Sequence, residues 1–281
     1  MAGRHPENAP GDWYVDTACI DCSASYTIAP SLMVARDGQS VFARQPRTPE
    51  ELTLAWRARL CCPTASVRTE SHHDVPAGVF PEALTAGVYR LGYNARASWG
   101  AHAFAIRRAQ GNVMVDSPRF THHVVDVLES WGGLSEILLT HRDDVADAGR
   151  YAERFGARVT IHEADRGAAP FATEILRGRA PIAIGDDLLA IPLPGHTRGS
   201  VAYLHRLRLF TGDSLAWDFE DDDLAAYQDV AWWSWPEQLR SLAVLLDHPF
   251  EWVLAGHGGS RGLPADDMRA RLAALLDRLR A

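Results

Sequence analysis

The sequence predicts an α/β protein, an αββα sandwich with a small α+β unit at its amino-terminal end. Three observations predict this. From residue 87 onward, strand-like apolar runs alternate with segments of helical periodicity, and such a mixture buries its apolar faces as two stacked sheets with helices outside. Four of the apolar runs end abruptly in a His or an Asp, which puts metal-ligating residue types at sheet ends. The 4 cysteines, Cys19, Cys22, Cys61 and Cys62, all fall in the first quarter of the chain, so the amino-terminal unit carries chemistry of its own.

Composition narrows the function. A length of 281 residues suits one large domain with an appendage, and 47% hydrophobic against 23% charged residues is ordinary for a folded protein. The formal net charge of -8 speaks against nucleic acid as a general partner, because phosphate binding wants a basic surface. No apolar run approaches the length of a membrane span, so no membrane partner is expected. Residues 1–12 are polar and contain Pro and Gly, which reads as a flexible lead rather than a targeting signal. Cysteines confined to one end fit a local metal or cluster site in a reducing, cytoplasmic setting better than a disulfide framework.

Residues 13–69 form the predicted small unit. Residues 13–16 read as a short strand, followed by a turn bearing Cys19 and Cys22. Asp37-Gly38 between residues 29–35 and 39–43 is a strong hairpin signal. Thr48 as N-cap, Pro49 at the first helical position and Glu51 completing a capping box open a helix with Leu52, Ala55, Trp56 and Leu60 at helical spacing. It delivers the chain to Cys61-Cys62-Pro63-Thr64. Thiols arriving from separated segments are what an iron–sulfur cluster needs.

Residues 15–68 resemble a single-cluster ferredoxin, whose pattern is Cys-x-x-Cys-x-x-Cys, a hairpin, a helix and Cys-Pro-Thr. Cys19, Cys22 and Cys62 match three ligand positions, while Ser25 stands where the family has its third cysteine. The resemblance implies three thiolates holding a three-iron cluster, a four-iron cluster completed by Ser25 or water, or a vestigial fold with free thiols. Cys61 is a reserve ligand.

Residues 70–86 read as linker, and residues 87–281 as the second domain. Strands are expected at 87–93, 102–108 and 113–116, a hairpin-rich start that suggests an antiparallel edge. Val124, Val125, Val127 and Leu128 mark a helix stopped by Gly132-Gly133, and residues 137–140 form the next strand. Val145, Ala148, Tyr151, Ala152 and Phe155 share one helical face, with Asp143 or Asp144 a natural N-cap and Gly156 the stop. Further strands are expected at 157–162, 181–184, 188–192, 201–204, 208–211 and 252–255, with helices at 236–246 and 264–280. Trp232, Trp233 and Trp235 read as a hydrophobic cap or pocket rim, ahead of a stacking platform for substrate.

His141, His196, Asp213 and His257 each follow an apolar run, and three imidazoles with one carboxylate suit zinc or iron. Gly195, Gly256 and Gly258 beside them allow the tight turns that aim such side chains at a shared point. The motifs around these residues, Leu-Thr-His at 139–141, Pro-Gly-His-Thr-Arg-Gly-Ser at 194–200, Thr-Gly-Asp at 211–213 and Gly-His-Gly at 256–258, together with Val-Asp-Ser at Asp116, resemble those of the metallo-β-lactamase superfamily over roughly residues 87–262. The resemblance implies one metal position from His141, Asp143 and His196, a bridging Asp213, and a second position with His257 and either Asp147 or Asp144. The family's first motif, His-x-His-x-Asp-His, is altered here: Asp143 replaces the second His, and Val145 and Ala146 replace the Asp-His pair. Extra carboxylate shifts preference toward iron or manganese and away from zinc. Asp147, or Asp143 if not a ligand, would orient the attacking water; the alternative for these acids is helix capping.

Three functions follow. A metal-dependent hydrolase would activate water against an ester, thioester or amide of a small-molecule substrate, and the resemblance favours it. An iron-dependent oxidoreductase would draw electrons from the amino-terminal cluster and need a redox partner. A degenerate-site binding or electron-transfer protein would explain the missing imidazoles. No nucleophile elbow, phosphate-binding glycine loop or dinucleotide fingerprint is present in the sequence.

Overall fold

The computed structural model describes residues 2–280. Its amino-terminal unit is organised as the sequence predicts, around the hairpin of strands Met33–Arg36 and Gln39–Phe42 and the helix Pro49–Cys61, whose N-cap Thr48 accepts from the Glu51 N–H. Two pieces escaped the sequence reading: the strand Val67–Thr69, which pairs antiparallel with the expected strand Trp13–Val15, and a five-residue helix, Ala24–Ile28, just after Cys22. The expected flexible lead is corrected: Asn8 is buried and its side-chain amide bridges Val15 and Phe42 through backbone hydrogen bonds, so this segment packs onto the unit. Trp13, Phe42, Trp56 and Leu32 centre its core.

The second domain is the expected αββα sandwich. One sheet has seven strands in the order Glu174–Leu176, Arg158–His162, Glu136–Leu138, Val113–Val115, Phe104–Ile106, Val88–Arg90 and Glu82–Thr85. The first four are parallel and the last three antiparallel, as the hairpin-rich start predicts. Its edge strand Glu82–Thr85 lies within the stretch read as linker. The linker is therefore shorter than expected, because Glu82, Ala83 and Thr85 pair with Arg90, Tyr89 and Val88. The second sheet orders six strands: Ile182–Ile184, Leu188–Pro192, Val201–His205, Arg208–Gly212, Trp252–Ala255 and Arg261–Gly262.

The period-two alternation of strands sorts side chains into layers. Val113 and Val115 face the other sheet and pack with Leu138, Tyr203, Phe210 and Leu254, whereas Met114 between them faces helices His122–Ser130 and Ala148–Phe155. Helices Trp235–Val244 and Ala265–Arg280 cover the far face of the second sheet through Leu242, Met268, Leu272 and Leu276. Tyr203 Oη donates to the Leu139 carbonyl at 2.9 Å, fixing the two sheets to one another two residues before His141.

Candidate metal centre

The chain leaves Glu136–Leu138 fully extended, with His141 at φ -167 and ψ 179, and then turns sharply through Arg142–Asp144. That turn directs Asp143 and Asp144 toward His141. Gly195 lets the loop carrying His196 pass against the helix Trp235–Val244, where a Cβ would overlap Gln238. Buried Asp165 ties the two loops together, accepting from the Arg142 N–H at 3.0 Å and from Thr197 Oγ1 at 2.5 Å. Asp213 follows the strand Arg208–Gly212, and Gly256 leaves room for two acids, since a Cβ there would lie 2.9 Å from both Asp144 Oδ2 and Asp213 Oδ1.

All three histidines present Nε2 within 4.0 Å of Asp213 Oδ2. His141 Nδ1 lies 2.9 Å from Thr140 Oγ1, His196 Nδ1 lies 2.6 Å from the Val230 carbonyl, and His257 Nδ1 lies 3.3 Å from the Cys22 carbonyl. Nδ1–H donates in each case, so Nε2 keeps its lone pair for a cation, the arrangement that orients metal-binding imidazoles. Asp213 Oδ2 stands 3.6 Å from His141 Nε2, 3.5 Å from His196 Nε2 and 4.0 Å from His257 Nε2. Asp143 Oδ2 is 3.3 Å from His196 Nε2 and 3.9 Å from His141 Nε2. The ligand atoms of His141, Asp143 and His196 lie within 4.8 Å of one another, as do those of His141, Asp144 and Asp213. His141 Nε2, His196 Nε2, Asp144 Oδ2 and Asp213 Oδ1 are all buried without a hydrogen-bond partner. Convergent orphan donors of this kind fit a divalent cation, because unsatisfied buried polar atoms are otherwise costly.

The electrostatics agree. Burial pulls His141 down to about 4, keeping it neutral and able to ligate. Burial also opposes charge on His196, but the nearby carboxylates of Asp143 and Asp213 and the Val230 carbonyl together outweigh this and raise it. Asp144 is pushed well above the usual carboxylate range by burial and by the charges of Asp213 and Asp116. Asp116 is pushed up to about 8 by burial, against the opposing hydrogen bonds from Thr140. Carboxylates so disfavoured as bare anions suit a site that receives positive charge.

The structure thus brings together His141, Asp143, His196, Asp213 and His257. Asp147 is a correction. Its carboxylate turns away to accept from the Phe120 N–H at 2.7 Å, at the start of helix Ala148–Phe155, and Asp144 takes the position beside His141 and Asp213 instead. Of the two acids the sequence leaves open, the short turn Arg142–Asp144 delivers Asp144. Sequence reasoning missed the chain Asp116–Thr140–His141 and the Asp165 tie, although Asp116 also ends an apolar strand.

A cavity of about 640 Å³ opens onto these atoms. Tyr26, Trp99, Tyr227 and Trp232 give it aromatic walls, Trp232 sitting at the rim with its ring 6.1 Å from that of His196. Asp21, Cys22 and Ser23 of the amino-terminal unit line it as well. On the far side of that segment, amide N–H groups point at thiols: Ser40 N donates to Cys19 Sγ at 3.4 Å and Ser66 N to Cys62 Sγ at 3.2 Å. Burial raises Cys22 to about 12, and Cys62 and Cys19 are close enough to add to the shift. Three neighbouring thiols, each of which would gain as a thiolate from a positive cluster core, fit an iron–sulfur group. Ser25 Oγ donates to the Ala58 carbonyl at 3.2 Å, and Cys61 is fully buried beside the charges of Arg90 and Glu82.

Comparison with known proteins agrees with both halves. Residues 15–69 match the family described as the 4Fe-4S single cluster domain of Ferredoxin I. A stretch of 79 residues is 40% identical to a hydroxyacylglutathione hydrolase of Anaeromyxobacter dehalogenans (strain 2CP-C), covering 27% of this chain and 30% of that protein. A stretch of 107 residues is 34% identical to the protein of that name from Acidiphilium cryptum (strain JF-5), covering 37% of this chain and 44% of the other. The chain thus spans less than half the length of either relative. A metallo-beta-lactamase family protein from Thermus thermophilus superposes with a TM-score of 0.51 at 21% identity, over 70% of this chain and 81% of that one. The protein has the metallo-β-lactamase fold, joined to a single-cluster ferredoxin-like unit. No helix among the described residues is long and apolar enough to cross a membrane.

Proposed function

We propose that the chain is a metal-dependent hydrolase that cleaves a small thioester or ester. One observation carries the reading: His141 Nε2, His196 Nε2, Asp144 Oδ2 and Asp213 Oδ1 are buried without hydrogen-bond partners, with Asp143 and His257 beside them, at the mouth of an aromatic cavity. A divalent metal held by His141, His196, Asp213 and His257, with Asp143 or Asp144, would supply Lewis acidity and make water a stronger nucleophile near neutral pH. The carboxylate-rich set favours iron or manganese over zinc. Asp143 has the most open side chain of these acids, 46% exposed against 11% for Asp213 and 1% for Asp144. It is the group suited to accept the proton of an attacking water on the cavity side. Attack forms the new C–O bond at the acyl carbon and breaks C–S or C–O, giving a carboxylic acid and a free thiol or alcohol. The names of the two curated relatives favour the thioester.

Purified full-length protein, stripped with chelator and reloaded singly with iron(II), manganese or zinc, tests this against aliphatic and aromatic acyl thioesters and esters. Hydrolysis that vanishes on chelation and returns with metal is expected; absence of hydrolysis from metal-loaded protein across both panels refutes the reading.

A second reading, an iron-dependent oxidoreductase fed by the amino-terminal cluster through an external redox partner, is favoured by the contact of the cysteine-bearing loop with His257. It requires turnover that depends on an electron donor, which the hydrolase does not.

A further inference from the structure

Cys22 and Ser23 belong to two sites at once. On one side, Cys22 supplies the middle of the three thiols, with Cys19 and Cys62, in the segment that matches the single-cluster ferredoxin family. On the other, the Cys22 carbonyl accepts from His257 Nδ1 at 3.3 Å, and Ser23 Oγ accepts from the Gly258 N–H at 3.3 Å, contacts that join residues 235 positions apart. Ser23 holds the left-handed conformation, φ 64, which turns the loop toward Gly258. The second domain also closes over the thiol. A Cβ at Gly100 would lie 2.8 Å from Cys22 Sγ and 3.0 Å from Pro63 Cγ, so only glycine lets the backbone press there. The segment carrying Gly100 is itself fixed to the metal side. Asn94 Nδ2 donates to the Gly100 carbonyl at 2.6 Å and meets His102 Nδ1 at 3.0 Å, while the His102 N–H donates to the Gly256 carbonyl at 2.8 Å, next to His257.

We propose that the two sites are thermodynamically coupled through the Cys22–Ser23 segment, so that the charge on the cluster sets the affinity of the His257 side of the metal centre. The proposal rests on the metal reading above and on a cluster held by Cys19, Cys22 and Cys62. Reduction adds one electron to the cluster, one residue away from His257 Nδ1. The added negative charge strengthens the hold on a divalent cation. Linkage requires the reverse: bound metal raises the reduction potential of the cluster by the same free energy. A tenfold gain in affinity on reduction corresponds to a rise of about 59 mV for a one-electron couple.

Zinc is the probe, because it has no redox chemistry of its own. The cluster of anaerobically purified full-length protein is titrated with dithionite, with and without zinc, and followed by absorption and paramagnetic resonance. Zinc affinity is measured separately by chelator competition in the oxidised and reduced states. The expected result is a potential raised by zinc, matching a tighter zinc affinity in the reduced state, with both effects smaller in Ser23→Ala while cluster and zinc still bind. Zinc uptake with an unchanged potential overturns the coupling, as does an equal shift in Ser23→Ala that disappears at high salt, the mark of a diffuse field. Protein that takes zinc but no cluster overturns the coupling and leaves the hydrolase reading standing. Protein that takes no divalent metal overturns both.

Discussion

Replacing Asp147 with alanine is expected to cost stability and to leave metal binding unchanged. Its carboxylate accepts from the Phe120 N–H at 2.7 Å and lies 3.8 Å from Arg150 Nη1 at the start of helix Ala148–Phe155. A hydrogen bond to a charged acceptor contributes roughly 1.5–3 kcal/mol when buried, and the Asp147 side chain is 34% exposed. Partial exposure lowers this to about 1–2 kcal/mol. For a domain of this size each kcal/mol moves the melting point by roughly 2–4 °C, so a fall of about 2–8 °C is expected. Asp147→Asn keeps an acceptor oxygen and should recover most of it. Calorimetry and chelator competition on the same preparations separate the two effects. A metal affinity lowered tenfold or more with an unchanged melting point would show that Asp147 enters the centre, and would refute its assignment as a loop anchor.

His196→Ala removes one Nε2 ligand and should lose one equivalent of metal by elemental analysis, with hydrolysis falling about 100-fold or more. Asp143→His restores an imidazole at the altered position and should move the preference from manganese toward zinc by about tenfold in a competition assay. Gly195→Ala forces a Cβ into Gln238 and should cost roughly 1–3 kcal/mol of stability. Because that loop carries His196, metal affinity should fall roughly 10–100-fold with it. Acid stability gives a further check at Asp223. Burial resists its ionisation, but the hydrogen bond from Arg271 and the charge of Arg278 outweigh this and hold it below the ordinary carboxylate value. Its contribution is therefore complete above the unfolded value, about 3.9, and is lost as pH falls through the lower folded one. Arg271→Ala should raise the pH of acid unfolding measured by circular dichroism; an unchanged midpoint would refute the role.

The sandwich was legible because its strands are buried between layers, so apolar runs and helical stripes carry strong periodicity. Val113–Val115 and Ala148–Phe155 are examples. Short elements were not legible. Glu174–Leu176 and Glu82–Thr85 sit at sheet edges with few buried residues, and Ala24–Ile28 is too short to show a period. At the centre, all four of His141, His196, Asp213 and His257 announced themselves by closing an apolar run, and the last three by an adjacent glycine. The choice between Asp144 and Asp147 could not be read, because both follow the strand and both suit a helix start. Only the backbone turn at Arg142–Asp144 separates them. Asp165, Thr140 and the Val230 carbonyl were invisible for another reason: they act by holding ligands from distant segments, and ordinary residue types do that without a motif.

The amino-terminal unit is also part of the second domain's architecture, which matters for any experiment that divides the chain. Arg57 on helix Pro49–Cys61 pairs with Glu82 at 2.8 Å, and Glu82 pairs in turn with Arg90 at 2.7 Å, all three largely buried. Arg57 Nε also donates to the Val79 carbonyl at 3.1 Å. Tyr93 packs against the cores of both units. A cut at residue 87, the boundary expected from sequence, would strip the edge strand Glu82–Thr85 and leave Arg90 buried without its carboxylate. Breaking a buried pair by removing one partner costs about 3–5 kcal/mol. The same cut removes the Cys22 carbonyl from His257 and one wall of the cavity. Loss of activity in such a fragment would therefore report damage to the fold and to a metal ligand's orientation, not a catalytic role for the cluster. Point changes in the intact chain, with cluster and metal content measured each time, are the way to tell those apart.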